Sequence, residues 1–145
     1  MGRVEKSIEI NASPEKIWSL VNWDRVPEFY DSIKKVEWTS DPKMQKGSTV
    51  HVYNKMAGVT GEFDAVITEW VDKERVEWRT IKGNGPGVFL ATLSPSGEGF
   101  KITTSFDYKL PYSIIGKLMD RLRVRKAMEA EAEKALQKMK DASEE

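Results

Sequence analysis

Two charged side chains interrupt an apolar helical stripe near the C-terminus. Arg125 and Glu129 are four residues apart, so on a helix they share one face and can form an ion pair. One interpretation is that Arg125 binds a carboxylate, carbonyl or phosphate of a ligand, while Glu129 holds the guanidinium in place. The other, which we favour, is an ion pair at the rim of the apolar face, reached by long aliphatic stems.

The single histidine of the chain, His51, alternates with Val50 and Val52 and shares their strand-like segment with Tyr53. If His51 faced the interior, it could act as a general acid or base, and Tyr53 could donate a hydrogen bond to a carbonyl. If the valines face the interior, both polar residues lie on the outer surface of the sheet, and ordinary packing favours this second register. The candidate catalytic residues are therefore His51, Tyr53 and Glu129, with no catalytic role assigned to any of them.

Composition excludes several kinds of catalytic site. The chain has no cysteine and one histidine, which excludes a cysteine nucleophile, a cysteine zinc site and a multi-histidine metal centre within one chain. The glycine-rich run Gly83–Gly87 precedes a strand pattern rather than a helix, and so predicts a hairpin turn instead of a phosphate loop. We expect no metal and no cofactor.

The charge balance and the hydropathy pattern limit the possible partners. The 23 basic and 23 acidic residues cancel, so no net field attracts nucleic acid or a membrane surface. No apolar run reaches the roughly 18–20 residues of a transmembrane helix. We expect one domain over residues 1–145 with a frayed tail at 142–145, a cytoplasmic location, no nucleic-acid partner, and an oligomeric state that the sequence leaves open.

The chain then alternates between strand and helix patterns. Arg3–Ile10 alternates apolar and polar residues and predicts a strand, while Ser13 followed by Pro14 predicts a helix start. A second short helix is expected over Arg25–Ile33. Six further strands are predicted, over Val36–Thr39, Ser48–Lys55, Glu62–Val71, Arg75–Ile81, Val88–Ser94 and Lys101–Tyr108.

A single helical pattern closes the chain, from Pro111 to Asp141. At ~1.5 Å per residue this helix is roughly 45 Å long and needs a broad apolar surface to lie on. The pattern therefore predicts an α+β helix-grip fold, in which a seven-stranded antiparallel sheet wraps around the helix and two short helices close one end. The residues that could line a gap between sheet and helix, or equally fill a core, are Phe29, Trp78, Phe106, Tyr108, Ile115, Leu118, Met119, Leu122 and Arg125.

Several short motifs resemble those of a known superfamily. The segment Ile10–Trp18 is similar to the "I-x-A-x-x-x-x-V-W" opening of the START-like, or SRPBCC, proteins, which include birch-pollen-allergen-like proteins, polyketide cyclases/dehydrases and coenzyme-Q-binding proteins. The segment Arg25–Phe29 resembles the "R-Y-P-E-F" of the cyclase-like and coenzyme-Q-binding branch, with Val26 in place of tyrosine. The segment Leu93–Gly99 resembles the "L-x-P-x-G-x-G" hairpin of the same superfamily.

The resemblance implies a cavity between the sheet and the C-terminal helix that binds a hydrophobic small molecule. We favour a protein that binds or carries a lipid, a quinone or a polyketide-like molecule without turnover. The alternative is a polyketide cyclase or dehydratase acting in the same cavity, and a third possibility is an interaction module that binds a partner through the helix or a sheet edge. Fold analogy does not choose among these functions.

Overall fold

Seven strands and one long helix dominate the computed structural model, which describes residues 2–41, 43–56, 59–83, 87–108 and 121–145. The strands are β1 (Gly2–Ile10), β2 (Ile33–Trp38), β3 (Thr49–Met56), β4 (Val59–Val71), β5 (Arg75–Gly83), β6 (Gly87–Ser96) and β7 (Gly99–Tyr108). The helices are α1 (Pro14–Ser19), α2 (Val26–Phe29) and α3 (Arg121–Glu144), and a 3-10 turn covers Trp23–Arg25.

The strands form one antiparallel sheet in the order β1-β7-β6-β5-β4-β3-β2. Strand β1 lies at one edge and β2 at the other, so α1, the 3-10 turn and α2 carry the chain across one end of the sheet. From β2 onward, each strand pairs with the next one along the chain, as short hairpin connections require. The predicted helix-grip fold is confirmed.

Helix α3 lies against one face of the sheet, which we call the inner face. Ala135 and Leu136 of α3 are 0% and 2% exposed in the main core, and Met128 and Ala132 pack with Val4 of β1. The inner face is therefore the apolar face of the alternating strands.

The polar side of α3 contacts the turn between α2 and β2. Lys134 and Lys138 place their ammonium groups 2.8 and 3.1 Å from the carboxylate of Asp31. These two lysines lower the pKa of Asp31 to about 2. With one charged and one apolar side, α3 is a surface helix; within the described ranges, no helix is both long and apolar enough to cross a membrane.

The C-terminal end of α3 extends beyond the predicted Asp141 and reaches Glu144. Ser143 is 2% exposed, and the carboxylate of Glu144 accepts a hydrogen bond of 2.9 Å from the backbone N–H of Asn11. The expectation of a frayed tail at 142–145 is corrected, because these contacts hold the last turn against the loop after β1. The residues before 121 lie outside the described part of the predicted helix.

The two short helices differ in how well the sequence predicts them. Helix α1 begins as expected, with the Ser13 hydroxyl accepting a 3.2 Å hydrogen bond from the N–H of Lys16. Helix α2 has only four residues, whereas the pattern predicted a helix over Arg25–Ile33. That prediction is wrong at its end, because Ile33 already pairs with Asn54 as the first residue of β2.

The side-chain alternation in β3 assigns its two faces. Val50 and Val52 are 1% and 0% exposed and point to the inner face. Because successive residues of a strand point to opposite faces, His51 and Tyr53 lie on the outer face. In β5, Val76 and Trp78 share the inner face by the same reasoning.

Candidate functional site

A row of stacked aromatic rings crosses the inner face. The ring centroids of Phe63 and Trp78 are 6.0 Å apart with an interplanar angle of 11°, and those of Trp78 and Phe89 are 5.2 Å apart at 22°. Trp78 and Phe89 are direct partners in the β5–β6 ladder, and side chains paired in this way lie close enough to interact. Three adjacent strands thus present nearly parallel rings.

Four further rings complete this group, which we call the aromatic cluster. The ring centroids of Trp23 and Phe106 lie 4.7 and 6.2 Å from that of Trp78. The rings of Tyr30 and Phe89 meet edge-on, with their centroids 6.2 Å apart. The full set is Trp23, Tyr30, Phe63, Trp78, Phe89, Phe106 and Tyr108. Trp78 and its neighbours in β6 and β7 are only half-buried, although they point to the inner face.

Two glycines let rings of this cluster lie close to the sheet. A Cβ atom at Gly87 would come within 2.5 Å of the Phe106 ring, and one at Gly2 within 2.4 Å of the Tyr108 ring. Each ring therefore extends across a neighbouring strand where no side chain stands in its way.

A group of polar side chains meets the aromatic cluster at Tyr30. The hydroxyl of Ser32 donates a 2.5 Å hydrogen bond to the carboxyl of Glu131 on α3, and the side chain of Thr104 on β7 lies close enough to the buried hydroxyl of Tyr30 to lower its pKa. Thr104 lies on the inner face and is 5% exposed. We call Tyr30, Ser32, Thr104 and Glu131 the polar corner.

Burial changes the acidity of two groups in the polar corner. Burial raises the pKa of the Glu131 carboxyl, and the nearby charge of Asp31 adds to this, while the hydrogen bond from Ser32 opposes it. Burial also raises the pKa of Tyr30, with a further contribution from Glu131. Both groups therefore favour their protonated, hydrogen-bond-donating forms more than exposed ones would.

One inner-facing amide beside the polar corner has an unused acceptor. Asn54 of β3 follows Val52 on the same face, and its buried Oδ1 accepts no hydrogen bond from any described residue. Its neighbour Lys55 donates its backbone N–H to the carbonyl of Ser32 at 2.8 Å, which places Asn54 next to the turn that carries the polar corner. Such an acceptor is a position where a ligand donor would be favourable.

The structure brings together most of the described residues that were predicted to line a gap. Trp78, Phe106 and Tyr108 belong to the aromatic cluster, and Phe29 is 5% exposed in the same core. The predicted helix residues Ile115, Leu118 and Met119 lie outside the described residues, as does the side chain of Leu122.

Arg125 and Glu129 form the ion pair at the rim that the sequence favoured. Their closest atoms, Arg125 Nε and Glu129 Oε1, are 3.2 Å apart, and the Arg125 side chain is 56% exposed. Lys6 of β1 lies 3.6 Å from Glu129 on the other side. Tyr108 lies near this pair: burial is the main cause of its raised pKa, which Arg125 lowers and Glu129 raises.

His51 and Tyr53 point away from the aromatic cluster. The two ring nitrogens of His51 lie 2.7 Å from Asp64 and 2.8 Å from Glu62 on the outer face. These hydrogen bonds, with that of Glu62 first, raise the pKa of His51. His51 and Tyr53 thus occupy the outer-face register that ordinary packing favoured, not the interior alternative, and neither residue meets Glu129.

The sequence interpretation missed the polar corner. Glu131 stands next to the buried Ala132, at the edge of the apolar stripe of α3. That position at the edge of the apolar stripe was the available signal. Thr104 gave a weaker one, as a polar residue between the inner-facing Ile102 and Phe106.

A family model described as polyketide cyclase / dehydrase and lipid transport matches residues 1–144 of the chain. An uncharacterized 17.2 kDa protein of Streptomyces lincolnensis is 27% identical over 124 residues, which are 84% of this chain and 78% of that protein.

Two crystal structures share the fold. A protein from Thermus thermophilus superposes with a TM-score of 0.81 at 19% identity, over 98% of this chain and 97% of that one. The di-domain ARO/CYC StfQ from the steffimycin biosynthetic pathway superposes with a TM-score of 0.79 at 13% identity, over 98% of this chain and 50% of StfQ. At these identities the similarity shows that the fold is shared, and it does not show that an activity is shared.

Proposed function

The chain belongs to the polyketide cyclase/dehydrase and lipid transport family, as the START-like motifs predicted, and on this basis we propose that it binds a hydrophobic small molecule between its inner face and α3. The proposed ligand contains a flat ring system, as quinones and polyketide-like molecules do. Rings stacked in this way add about 0.5–1.5 kcal/mol per pair beyond the burial of their surface. A flat ligand could therefore gain from stacking as well as from burial.

The half-buried Trp78 is the observation that supports this proposal most directly. It lies within 4.7–6.2 Å of the ring centroids of Trp23, Phe63, Phe89 and Phe106. Its partner across the β4–β5 ladder, Ile67, is only 1% exposed, as a residue of a finished core should be. An aromatic cluster that the described residues leave partly uncovered suits a ligand that covers it.

Binding can be tested with 2-ethylnaphthalene and palmitate as probes, by titration calorimetry and Trp fluorescence. We expect the wild type to bind the naphthalene, and Trp78→Leu to weaken binding by about tenfold, equivalent to ~1.4 kcal/mol. The matched control is Arg79→Leu, the next residue on β5, which points outward and should leave the affinity unchanged.

Either of two results would reject the proposal. One is that the wild type binds neither probe, and the other is that Trp78→Leu and Arg79→Leu bind the naphthalene equally well. Thermal unfolding curves of both variants would show that each is folded under the conditions of the titration.

The second candidate function is a cyclase or dehydratase, which the polar corner favours. Tyr30 and Glu131 are half-buried proton donors beside an apolar surface, and such groups can polarise a carbonyl or protonate a leaving hydroxyl. Mass spectrometry of a polyketone thioester incubated with the protein would detect cyclisation with loss of water. An unchanged substrate would leave the carrier function. The cytoplasmic location and the lack of a nucleic-acid partner stay predictions.

A further inference from the structure

We propose that Glu131 determines ligand specificity by donating a hydrogen bond to a carbonyl group, so that the site prefers ring compounds that carry a ketone. This inference rests on the proposed binding at the aromatic cluster. It assigns to the polar corner a role that the apolar surface cannot fill, because stacking alone does not distinguish a ketone from a hydrocarbon of the same shape.

The position of Glu131 makes it a polar group that α3 contributes to the inner side. It follows Met128 by three residues and directly precedes Ala132, and both of these are buried against the sheet. Ala132 and Ala135 carry only a methyl group, so the carboxyl of Glu131 reaches farther from the helix than these neighbours do. Its contact with Ser32 fixes the direction in which it points.

Among the described residues, the charged groups around Glu131 leave its carboxyl without a close cation. Asp31 in the α2–β2 turn raises the pKa of Glu131, and Lys34 near the start of β2 lowers it by less. The nearest lysine on the same helix, Lys134, is bound to Asp31 at 2.8 Å. Tyr30, which faces Glu131 from the end of α2, holds its own proton because burial raises its pKa.

A carboxyl that keeps its proton has one O–H donor and can still accept a hydrogen bond. Ser32 already donates to Glu131, and no described residue accepts a hydrogen bond from the Glu131 carboxyl, so its O–H is the donor that needs an acceptor. A ligand carbonyl supplies one, whereas a hydrocarbon leaves the buried donor unpaired. Sites that leave a polar group unpaired reject the wrong ligand more strongly than sites that only lose a contact.

The test compares 2-acetylnaphthalene with 2-ethylnaphthalene, which have nearly the same shape and differ by one carbonyl. We expect the wild type to prefer the ketone by about tenfold at about pH 4.5, and this preference to shrink as the pH rises and Glu131 loses its proton. Calorimetric titrations of both probes between about pH 4.5 and about pH 8 would measure the ratio of the two affinities.

Two variants and a control separate the role of Glu131 from a purely structural one. Glu131→Leu should bind both naphthalenes equally, whereas Glu131→Gln, which keeps an N–H donor, should retain a ketone preference that no longer depends on pH. Gln137→Leu, on the exposed side of α3, should behave as the wild type does. Unfolding curves would identify a variant that fails to fold.

The possible failures are distinguishable. If the wild type binds both naphthalenes equally at every pH, or if Glu131→Leu keeps the ketone preference, the inference is overturned while the proposed binding function stands. If the wild type binds neither probe, the proposed function itself fails.

Discussion

The two faces of the sheet come from the same alternating strands, yet they use their side chains in opposite ways. On the outer face, polar groups are paired with one another: His51 lies between Asp64 and Glu62, and Arg3 lies 2.7 Å from Asp107. On the inner face, the rings of Trp78, Phe89 and Phe106 are only half-buried among the described residues. The polar groups named on the outer face already have partners, while these rings of the inner face keep apolar surface exposed.

This difference explains why residue type alone is a poor guide to the site. His51 has the side chain most often used for acid and base catalysis, but both of its ring nitrogens already have carboxylate partners. The polar groups that lie near the aromatic cluster come instead from a turn, from β7 and from α3. Function in this fold depends on which face a residue occupies, and a change of one position in a strand reverses that face.

The largest expected difference between the two faces is in stability, and substitution of Trp78 on the inner face should reveal it. We expect Trp78→Ala to lower the free energy of unfolding by about 3 kcal/mol, because it removes the ring that contacts four others. Denaturant unfolding would measure the change. Arg79→Ala, one residue along β5 and exposed, should change it by less than about 0.5 kcal/mol.

A loss for Arg79→Ala as large as the one expected for Trp78→Ala would contradict the assignment of the two faces. A small loss in both would show that the aromatic cluster adds little to stability. In that case the rings would contribute to ligand binding more than to stability. The calorimetric titration would still measure the lower affinity of Trp78→Leu for 2-ethylnaphthalene.

A methyl group under Phe106 tests how closely the rings lie on the sheet. In Gly87→Ala the new Cβ would be 2.5 Å from the Phe106 ring and 2.7 Å from the carbonyl oxygen of Asp107, so both must move. We expect a loss of about 1–3 kcal/mol in the free energy of unfolding, together with weaker binding of 2-ethylnaphthalene. Ser94→Ala, on the outer side of β6, should be near neutral, and a neutral Gly87→Ala would count against the close approach.

The outer face should show the smallest effect, and a pH dependence of known sign. The two carboxylates raise the pKa of His51, so the folded state binds its proton more tightly than the unfolded chain does. The resulting stability is fully present below the unfolded pKa of about 6.5 and is lost as the pH rises through the folded pKa. Exposed pairs of this kind contribute about 0.2–1 kcal/mol.

Two measurements check this prediction. An NMR titration of the single histidine gives its folded pKa directly, and unfolding at several pH values gives the slope. His51→Gln should flatten that slope without changing the affinity for either naphthalene. A His51 pKa at or below that of an exposed histidine would mean that the carboxylate contacts do not persist in solution.

The order and type of the elements could be predicted because each strand carries its own alternation and each turn its own chemistry. Strand β5 was predicted over Arg75–Ile81 and ends only two residues later, at Gly83. For β3 the sequence favoured the register with Val50 and Val52 inside but left the alternative open, because valine and histidine alternate there and both registers place a plausible residue inside. Only pairing with β4, where Val52 lies opposite Phe63, decides between them.

The polar corner could not be predicted for a different reason. Its members, Tyr30, Ser32, Thr104 and Glu131, are brought together by the way α3 and the α2–β2 turn pack on the sheet, which no local pattern encodes. The stripe on α3 marked which residues are apolar, but an acid at the edge of a stripe looks the same whether it meets water or a serine hydroxyl. Burial and partner appear only when the helix is docked.

The pairing of β1 with β7 has a consequence for how the chain is made. Gly2 lies opposite Tyr108, so β1 has no partner in the sheet until β7, about a hundred residues later in the chain, has been synthesised. At about 5–20 residues per second this wait lasts roughly 5–20 s, during which the unpaired edge of β1 and its apolar side are exposed to other chains. Strand β7 also brings Phe106 beside Trp78. The inner face is therefore completed by the same strand that covers the open edge of β1.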